Sequence, residues 1–180
     1  MAERDGGELA AFRQAKDAFF RDGHDSPLTA DQQRAFAGLP YFDEDPSLRL
    51  VVEPSPFAAP EEVEVELDLS TGGAAVYRRW ARVHFEVEGA PAELTVFRDA
   101  EGGEIFLPFK DATAAAGETY GAGRYLDVHE ATDGRLLLDF NYAYNPYCAY
   151  NERWSCPLTP AENVLAVSIR AGEKTYPSSH

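Results

Sequence analysis

The residues that could carry out chemistry in this chain lie in one segment, DFNYAYNPYCAYNERWSCPL, which spans residues 139–158 and contains both cysteines. A cysteine acts as a nucleophile when a nearby cation stabilises its thiolate or a base takes its proton. After Cys148 the first basic residue is Arg153, and of the histidines only His129 follows a strand that could bring it close. A catalytic pair of Cys148 and His129 is therefore one hypothesis for this segment.

The same segment does not have the spacing of a metal site. Zinc sites gather short pairs such as Cys-x-x-Cys, whereas seven residues separate Cys148 from Cys156 and no second pair completes a tetrahedral set. Its oxygen-bearing side chains do not match the spacing of an EF-hand loop, and the glycine and closing glutamate of that loop are missing. These side chains belong to Asp139, Asn141, Asn145 and Asn151. We predict no metal site here.

A structural interpretation accounts for the same residues. Asn145 precedes a proline and starts a turn, Asn151 can satisfy backbone donors of the loop, and a buried Asp139 would be held by hydrogen bonds. Cys148 and Cys156 would either form a disulfide, if the loop folds back, or lie as small buried hydrophobic residues, which is the default in a reducing cytoplasm. We therefore favour a structured loop over a reactive centre.

A second motif, GETYGAGRYLD, suggests a ligand pocket. Gly121 and Gly123 would let the backbone approach a ligand, and Arg124 would present a planar fork to a carboxylate or phosphate. The alternative is a glycine bulge in a strand, with Arg124 paired to a carboxylate such as Asp139 or Glu118. If GRYLD and LLLDFNYAYN pair as successive strands, their polar residues converge at one barrel mouth.

The favoured functional hypothesis is a small soluble domain that binds a small polar or anionic ligand near residues 139–151, with Arg124 as the anion partner. The predicted ligand-binding residues are Tyr120, Arg124, Asp139, Asn141, Tyr144, Asn145 and Cys148. One alternative is a hydrolase or group-transfer enzyme that uses Cys148 or Asp139. Another is a protein-interaction module that presents an exposed, tyrosine-rich surface.

The elements that would position these residues change from helices to strands along the chain. Apolar residues recur at helical spacing from Glu8 to Asp22, and Thr29 would cap a shorter helix that runs through Phe36. The first helix would bury Leu9, Phe12, Ala15 and Phe19 and expose Arg13, Gln14, Lys16 and Asp17. Beyond Pro46 the pattern alternates, most clearly in EVEVELDLS, whose valines and leucines share one face. Further strands are predicted at SLRLVVE, RVHFEVEG, AELTVFRD, EIFLPF, GRYLDV, LLLDFNYA and VLAVSIRAG.

These elements predict an α+β fold. It would be a mainly antiparallel β barrel or sandwich with two N-terminal helices packed on it. Residues 1–46 would form the helical segment and residues 47–176 the β domain, within one structural domain.

The composition of the chain limits its partners. A net charge of −15 and a pI near 4.6 repel phosphate, so we predict no nucleic-acid partner and no anionic membrane surface. Lysine accounts for only three of the 16 basic residues. This bias suggests adaptation to concentrated salt, and the alternative is a GC-rich genome with an ordinary acidic surface. The first residues do not form a secretory signal and no apolar run could span a bilayer, so we expect a cytoplasmic protein.

Three segments together resemble the domain of unknown function 1684 over nearly the whole chain. They are SPLTADQQRAFAGLPYFDEDPSLRL, FLPFKDATAAAGETYGAGRYLD and LDFNYAYNPYCAYNERWSCPLTPAENVLAVSIRAGEK. The stretch KDATAAAGETY departs from the family, which more typically has a Thr-Ser-Gly turn before its Thr-Tyr. Because that family has no established activity, the resemblance implies an identity but no substrate or cofactor.

Overall fold

A computed structural model describes residues 6–58 and 64–177 of the chain. The chain begins with two helices, α1 (Gly6–Asp22) and α2 (Ala30–Ala35), and a short helix α3 (Ala112–Ala115) lies in its second half. Among these described residues, four 3₁₀ turns lie between other elements: Pro46–Leu48, Phe140–Tyr142, Tyr147–Ala149 and Ala161–Asn163. Within the described ranges, no helix is both long enough and apolar enough to cross a membrane.

The described residues form two antiparallel sheets. The strands are β1 (Arg49–Val52), β2 (Ser55–Pro56), β3 (Glu64–Asp68), β4 (Ala74–Val87), β5 (Ala90–Asp99), β6 (Ile105–Phe109), β7 (Arg124–Leu126), β8 (His129–Glu130) and β9 (Leu136–Asp139). The smaller sheet has the order β1-β9-β8, and the larger has the order β2-β4-β5-β6-β7, with β3 also paired to β4. The prediction of a sheet-rich, mostly antiparallel α+β fold is confirmed. The described strands do not close into a barrel.

The long hairpin of β4 and β5 forms the centre of the larger sheet. Val83, Phe85 and Val87, which alternate along β4, are all buried. The two strands are joined at Glu88 and Gly89, whose φ angles are 51° and 81°. Positive φ at both central residues is what a two-residue hairpin turn of type I′ requires. The local sequence pattern therefore determines this part of the fold.

Strand β3 follows the alternation of EVEVELDLS. Glu64 and Glu66 are exposed, Val65 is half-buried and Leu67 is buried. Val63, which belongs to the same predicted face, lies outside the described residues.

One hydrophobic core joins the two sheets. Val83 of the larger sheet and Leu138 of the smaller sheet are fully buried in the same cluster. Phe140, in the turn after β9, is fully buried as well, and the centre of its ring lies 5.2 Å from that of Phe109. This packing fixes the start of the segment of residues 139–158 on the core.

The prediction of a last strand at VLAVSIRAG is wrong. Val164 forms only an isolated bridge with Lys110, and the backbone that follows is irregular. Its polar groups find side-chain partners instead: Arg124 donates to the Ile169 carbonyl at 2.9 Å, and the Ile169 N–H donates to Asp111 Oδ2 at 2.7 Å. Alternating hydrophobicity marks burial, and here the buried backbone is satisfied partly by the backbone of Lys110 and Ala112 and, around Ile169, by charged side chains.

The predicted pairing of GRYLD with LLLDFNYAYN is also wrong. Strand β7 pairs with β6, and β9 lies between β1 and β8. The two segments still meet at one point, because Tyr125 and Tyr144 exchange backbone hydrogen bonds of 2.8 and 3.0 Å. This bridge places the start of the loop beside β7.

Helix α1 does not bury the face that its apolar spacing predicts. Leu9 and Phe20 are buried, whereas Phe12 and Phe19 are 44% and 39% exposed and Ala15 is exposed. The observed inward face also contains two basic residues, Arg13 and Lys16.

Polar acceptors beneath α1 explain this orientation. Arg13 donates to the backbone carbonyls of Phe42 at 3.2 Å and Asn141 at 3.4 Å. Lys16 pairs with the buried carboxylate of Glu173. Hydrophobic spacing carries no information about such acceptors. The sequence pattern therefore placed Arg13 and Lys16 on the solvent face.

Candidate functional site

Arg124 lies in the protein interior and has a structural role. Its side chain is 1% exposed, and its guanidinium donates to the carbonyls of Ile169 and Ala171 and to Asp111 Oδ1 at 3.3 Å. The guanidinium is therefore not available to an anion, in contrast to the role predicted for it. The alternative of a carboxylate partner agrees with the structure, but the partner is Asp111 rather than Asp139 or Glu118.

Asp139 and Asn141 hold the turn that follows β9. Asp139 Oδ1 accepts hydrogen bonds from the backbone N–H of Asn141 at 3.2 Å and from its side-chain amide at 2.9 Å. The Asp45 N–H donates to Asn141 Oδ1 at 2.8 Å, and Asn141 Nδ2 donates to the Asp45 carbonyl at 2.9 Å. These bonds join the loop to the turn Pro46–Leu48, so both side chains are committed to structure.

A buried carboxylate that sequence reasoning missed, Glu173, organises the middle of the segment. Its Oε1 accepts from the Tyr150 hydroxyl at 2.5 Å and from the Asn145 N–H at 3.2 Å, while Oε2 pairs with Lys16. Burial and the neighbouring carboxylate raise the pKa of Tyr150 well above its ordinary value, so its hydroxyl remains a donor. Asn145 also donates to the Lys174 carbonyl at 3.0 Å. The predicted residue Asn145 thus belongs to this network.

Tyr144 supports the loop from its other side. Its hydroxyl donates to Asp127 Oδ1 at 3.0 Å, and its ring meets that of Tyr125 edge-on at 5.9 Å between centres. Burial and the Asp127 carboxylate raise the pKa of Tyr144 above the ordinary tyrosine value. Its role is to fasten the loop to the region of β7.

A cleft of about 780 Å³ lies between α2 and the turn Tyr147–Ala149. Two of the predicted ligand-binding residues, Tyr120 and Cys148, line it. The rest of its wall was not predicted and includes Thr29, Asp31, Gln32 and Glu152. Three segments that are far apart in the sequence therefore build this cleft.

Helix α2 is fixed as one wall of the cleft by its cap and by one long-range bond. The N–H of Gln32 donates to Thr29 Oγ1 at 3.2 Å, and the N–H of Thr29 donates to Gln32 Oε1 at 2.8 Å, which is a capping box. The side-chain amide of Gln32 also donates to the Tyr150 carbonyl at 2.8 Å. The sequence predicts the cap at Thr29, but not a bond to a residue 118 positions later.

Cys148 lines this cleft, and its thiol neighbours that of Cys156. Both cysteines are free and each is 8% exposed. The sulfur of Cys148 lies 3.8 Å from the hydroxyl oxygen of Tyr120. The hydrogen bond from Cys156 lowers the pKa of Cys148 to about 6, with a smaller contribution from Tyr120 and against the opposing effect of burial. The same bond raises the pKa of Cys156, so the pair favours one thiolate, on Cys148.

Cys156 is held by the turn that follows β3. Its N–H donates to Ser70 Oγ at 3.0 Å, and its carbonyl accepts from the Ser70 N–H at 2.9 Å. The next residue, Pro157, forms a bridge with Leu69 and accepts a hydrogen bond from the Tyr125 hydroxyl. The sequence left open a disulfide or two inert apolar side chains, and the structure has a third arrangement, two free thiols in contact.

His84 and His129 lie on the two sheets, and neither is among the neighbours of the Cys148 thiol. His129 is exposed and its backbone pairs with Leu137 in the smaller sheet. His84 lies on an exposed face with its Nε2 2.6 Å from Glu93 Oε2. In the described part of the chain, the hydrogen-bonding neighbours of the Cys148 thiol are the side chains of Cys156, Tyr120 and Ser70. The geometry therefore does not support a catalytic pair of Cys148 and His129.

The wall of the cleft is acidic. Asp31 and Glu152 line it, and no lysine, arginine or histidine does so among the described residues that form it. Across residues 6–58 and 64–177, no group of three or more His, Cys, Asp or Glu side chains is arranged to hold a metal ion.

Comparisons with known proteins place the fold but no activity. The family described as protein of unknown function (DUF1684) matches residues 34–174. A similar solved structure is the solution NMR structure of an uncharacterised protein from Haloarcula marismortui, which is 36% identical. That match covers 94% of this chain and 93% of the other, with a TM-score of 0.67. A comparison with curated proteins finds no match.

Proposed function

This chain belongs to the DUF1684 family of proteins of unknown function, and because that description assigns no activity, we propose a function from the cleft itself: the protein binds a small polar ligand between α2 and the turn Tyr147–Ala149. The observation that supports this proposal is the cleft of about 780 Å³. Its volume lies within the range typical of small-molecule sites, and such sites combine apolar surface with a few fixed polar groups.

The groups on the wall favour particular contacts. Thr29 and Tyr120 contribute hydroxyl groups, and Asn151 contributes a side-chain amide. The ring of Tyr120 adds flat apolar surface that can face a ligand or a cation. The ligand would therefore be a small molecule that carries several hydrogen-bonding groups.

The charge of the wall favours a neutral or cationic ligand over an anion. Glu152 contributes a carboxylate to the lining, Asp31 adds one that is paired with Arg34, and the whole chain has a net charge of −15. Arg124, the cation that an anionic ligand would need, is enclosed in the interior and bonded to Asp111. An anion in the cleft would be repelled by the carboxylate of Glu152 and by the net negative charge of the chain.

An NMR titration tests this proposal with probes of opposite charge. The uniformly ¹⁵N-labelled protein would be titrated with putrescine and choline as cations and with citrate as an anion, at constant ionic strength. We expect the cations to shift the backbone amide signals of Gln32, Tyr120 and Asn151, and we expect citrate to leave them unchanged. Citrate binding at these amides, or no response to either cation, would show that the cleft does not select ligands in this way.

A charge-neutral variant and a matched control separate the cleft from the general acidity of the surface. Glu152→Gln removes one wall carboxylate and should weaken cation binding roughly three- to fivefold, as expected for one partly exposed charge pair. Glu101→Gln removes an exposed carboxylate from the turn after β5, which does not line the cleft, and should leave the affinity unchanged. Equal weakening by both substitutions would assign the effect to net charge alone.

A further inference from the structure

The contact between the thiols of Cys148 and Cys156 is not needed for binding a ligand in the cleft. A buried cysteine that serves only as a small apolar residue needs no hydrogen-bonding partner for its sulfur. The sulfur of Cys148 has two such neighbours, namely the thiol of Cys156 and the hydroxyl of Tyr120, whose oxygen lies 3.8 Å away. Donors of this kind stabilise a thiolate, the reactive form of cysteine.

The two cysteines differ in access and in anchoring. Cys148 lies in the short turn Tyr147–Ala149 and lines the cleft, whereas Cys156 is not part of the cleft wall. Cys156 is instead fixed through both of its backbone polar groups to Ser70. A small molecule in the cleft therefore meets the sulfur of Cys148 first, with that of Cys156 in contact with it.

We propose that Cys148 and Cys156 form a reactive dithiol site that reduces a small hydroperoxide, with Cys148 as the attacking thiol and Cys156 as the resolving thiol. The proposal rests on the Tyr120 hydroxyl 3.8 Å from the Cys148 sulfur, on the position of Cys148 in the cleft wall and on the neighbouring free thiol of Cys156. It does not depend on the identity or binding of the ligand proposed above, so the two proposals can fail separately.

The first step oxidises Cys148. Its thiolate attacks the terminal oxygen of the hydroperoxide, the O–O bond breaks, and Cys148 becomes a sulfenic acid. The leaving group is an alkoxide, or hydroxide when the oxidant is hydrogen peroxide, and it takes a proton from water. Tyr120 is a positioning residue in this step: burial and the Cys148 thiol raise its pKa to about 12, so its hydroxyl stays protonated and donates to the thiolate.

The second step forms the disulfide. The sulfur of Cys156 attacks the sulfur of the sulfenic acid, the S–O bond breaks, and the hydroxyl group leaves as water with the thiol proton of Cys156. Two electrons have then passed from the two sulfurs to the peroxide. A dithiol reductant such as dithiothreitol restores both thiols by thiol–disulfide exchange and becomes a disulfide itself.

Hydrogen peroxide and intact mass spectrometry test the proposal on the full chain. One equivalent of peroxide should leave the wild-type monomer about 2 Da lighter, and dithiothreitol should restore its mass. Cys156→Ser should stop at the sulfenic acid, which dimedone traps on Cys148. Cys148→Ser should consume peroxide at least roughly tenfold more slowly than the wild type. Equal rates in Cys148→Ser and the wild type, or a wild-type product linked between two chains, would overturn the proposal.

The pH dependence of alkylation gives a readout that a merely structural role would not change. For the wild type we expect iodoacetamide to react with Cys148 with a midpoint near pH 6, and Tyr120→Phe should move this midpoint upward and slow alkylation severalfold at neutral pH. Tyr144→Phe is the matched control, because the Tyr144 hydroxyl bonds to Asp127 outside the cleft. This variant should leave the midpoint in place. A wild-type midpoint at the ordinary thiol value of about 8.5, unmoved in Tyr120→Phe, would contradict the assignment.

Discussion

Arg124 and Asp111 are charged side chains that are each only 1% exposed, and they hold the irregular backbone that follows Val164. Arg124 donates to the Ile169 carbonyl at 2.9 Å, and Asp111 accepts from the Ile169 N–H at 2.7 Å and the Thr113 hydroxyl at 2.7 Å. Buried charges persist only when they are paired and hydrogen-bonded. The pair therefore takes the place of a strand partner for this segment.

Replacing one member of this pair should be costly for stability. Arg124→Met leaves Asp111 charged and buried and removes hydrogen bonds from carbonyls of the C-terminal segment. We expect the free energy of unfolding, measured by urea denaturation, to fall by about 3 to 5 kcal/mol. Arg170→Met is the control, because Arg170 is exposed and pairs with Glu118 at the surface, and its unfolding curve should match the wild type. A loss for Arg124→Met no larger than that of the control would contradict the structural role.

At the residue scale, the sequence could predict Tyr120 and Cys148 as residues of the cleft because both stand in motifs dense in polar and aromatic side chains. It could not predict Glu173, whose partners Asn145 and Lys16 lie 28 and 157 positions away along the chain. A single glutamate carries no local signal of burial, since burial depends on partners that only the fold brings together.

Helix α1 shows how a polar contact can override an apolar pattern at the scale of an element. Its inward face contains Arg13 and Lys16 because the surface beneath it presents backbone carbonyls and the carboxylate of Glu173. The predicted apolar residues Phe12 and Phe19 are left partly exposed. The docking of this helix is thus specified by charge as well as by hydrophobic burial.

The ion pair between Lys16 and Glu173 should contribute to this docking. Lys16→Met leaves Glu173 with only its neutral partners, and we expect a loss of about 2 kcal/mol in urea denaturation, because Lys16 is 17% exposed and the pair is partly screened. Hydrogen exchange of the α1 amides should become faster in the same variant. Arg21→Met on the same helix, with a side chain that is 52% exposed, should change neither quantity. If the two variants behave alike, the pair does not dock the helix.

The elements that the sequence could predict are those with a local cause. Strand β4 and its turn follow from alternation and from a glycine at a positive φ, and the cap of α2 follows from Thr29 and Gln32. The segment from Val164 onward has the same alternation as a strand but lacks a strand partner in the fold. Periodicity reports which residues are buried and does not report how the backbone between them is satisfied.

At the scale of the whole molecule, the cleft is formed where α2, the segment before β7 and the loop of residues 140–158 meet. Its acidic wall has the same sign as the net charge of −15, so the field of the protein would attract cations toward it. A similar structure belongs to a protein from Haloarcula marismortui, and adaptation of this chain to concentrated salt stays a prediction.

Native mass spectrometry of the protein purified from its own cells tests the central claim, that the cleft binds a small ligand. The wild type should carry extra noncovalent mass that leaves on denaturation. Ala35→Trp places an indole in the cleft and should lose this mass, whereas Ala10→Trp, an exposed site on α1, should keep it. A bare chain in the wild type, or the same bound mass in Ala35→Trp, would contradict the account.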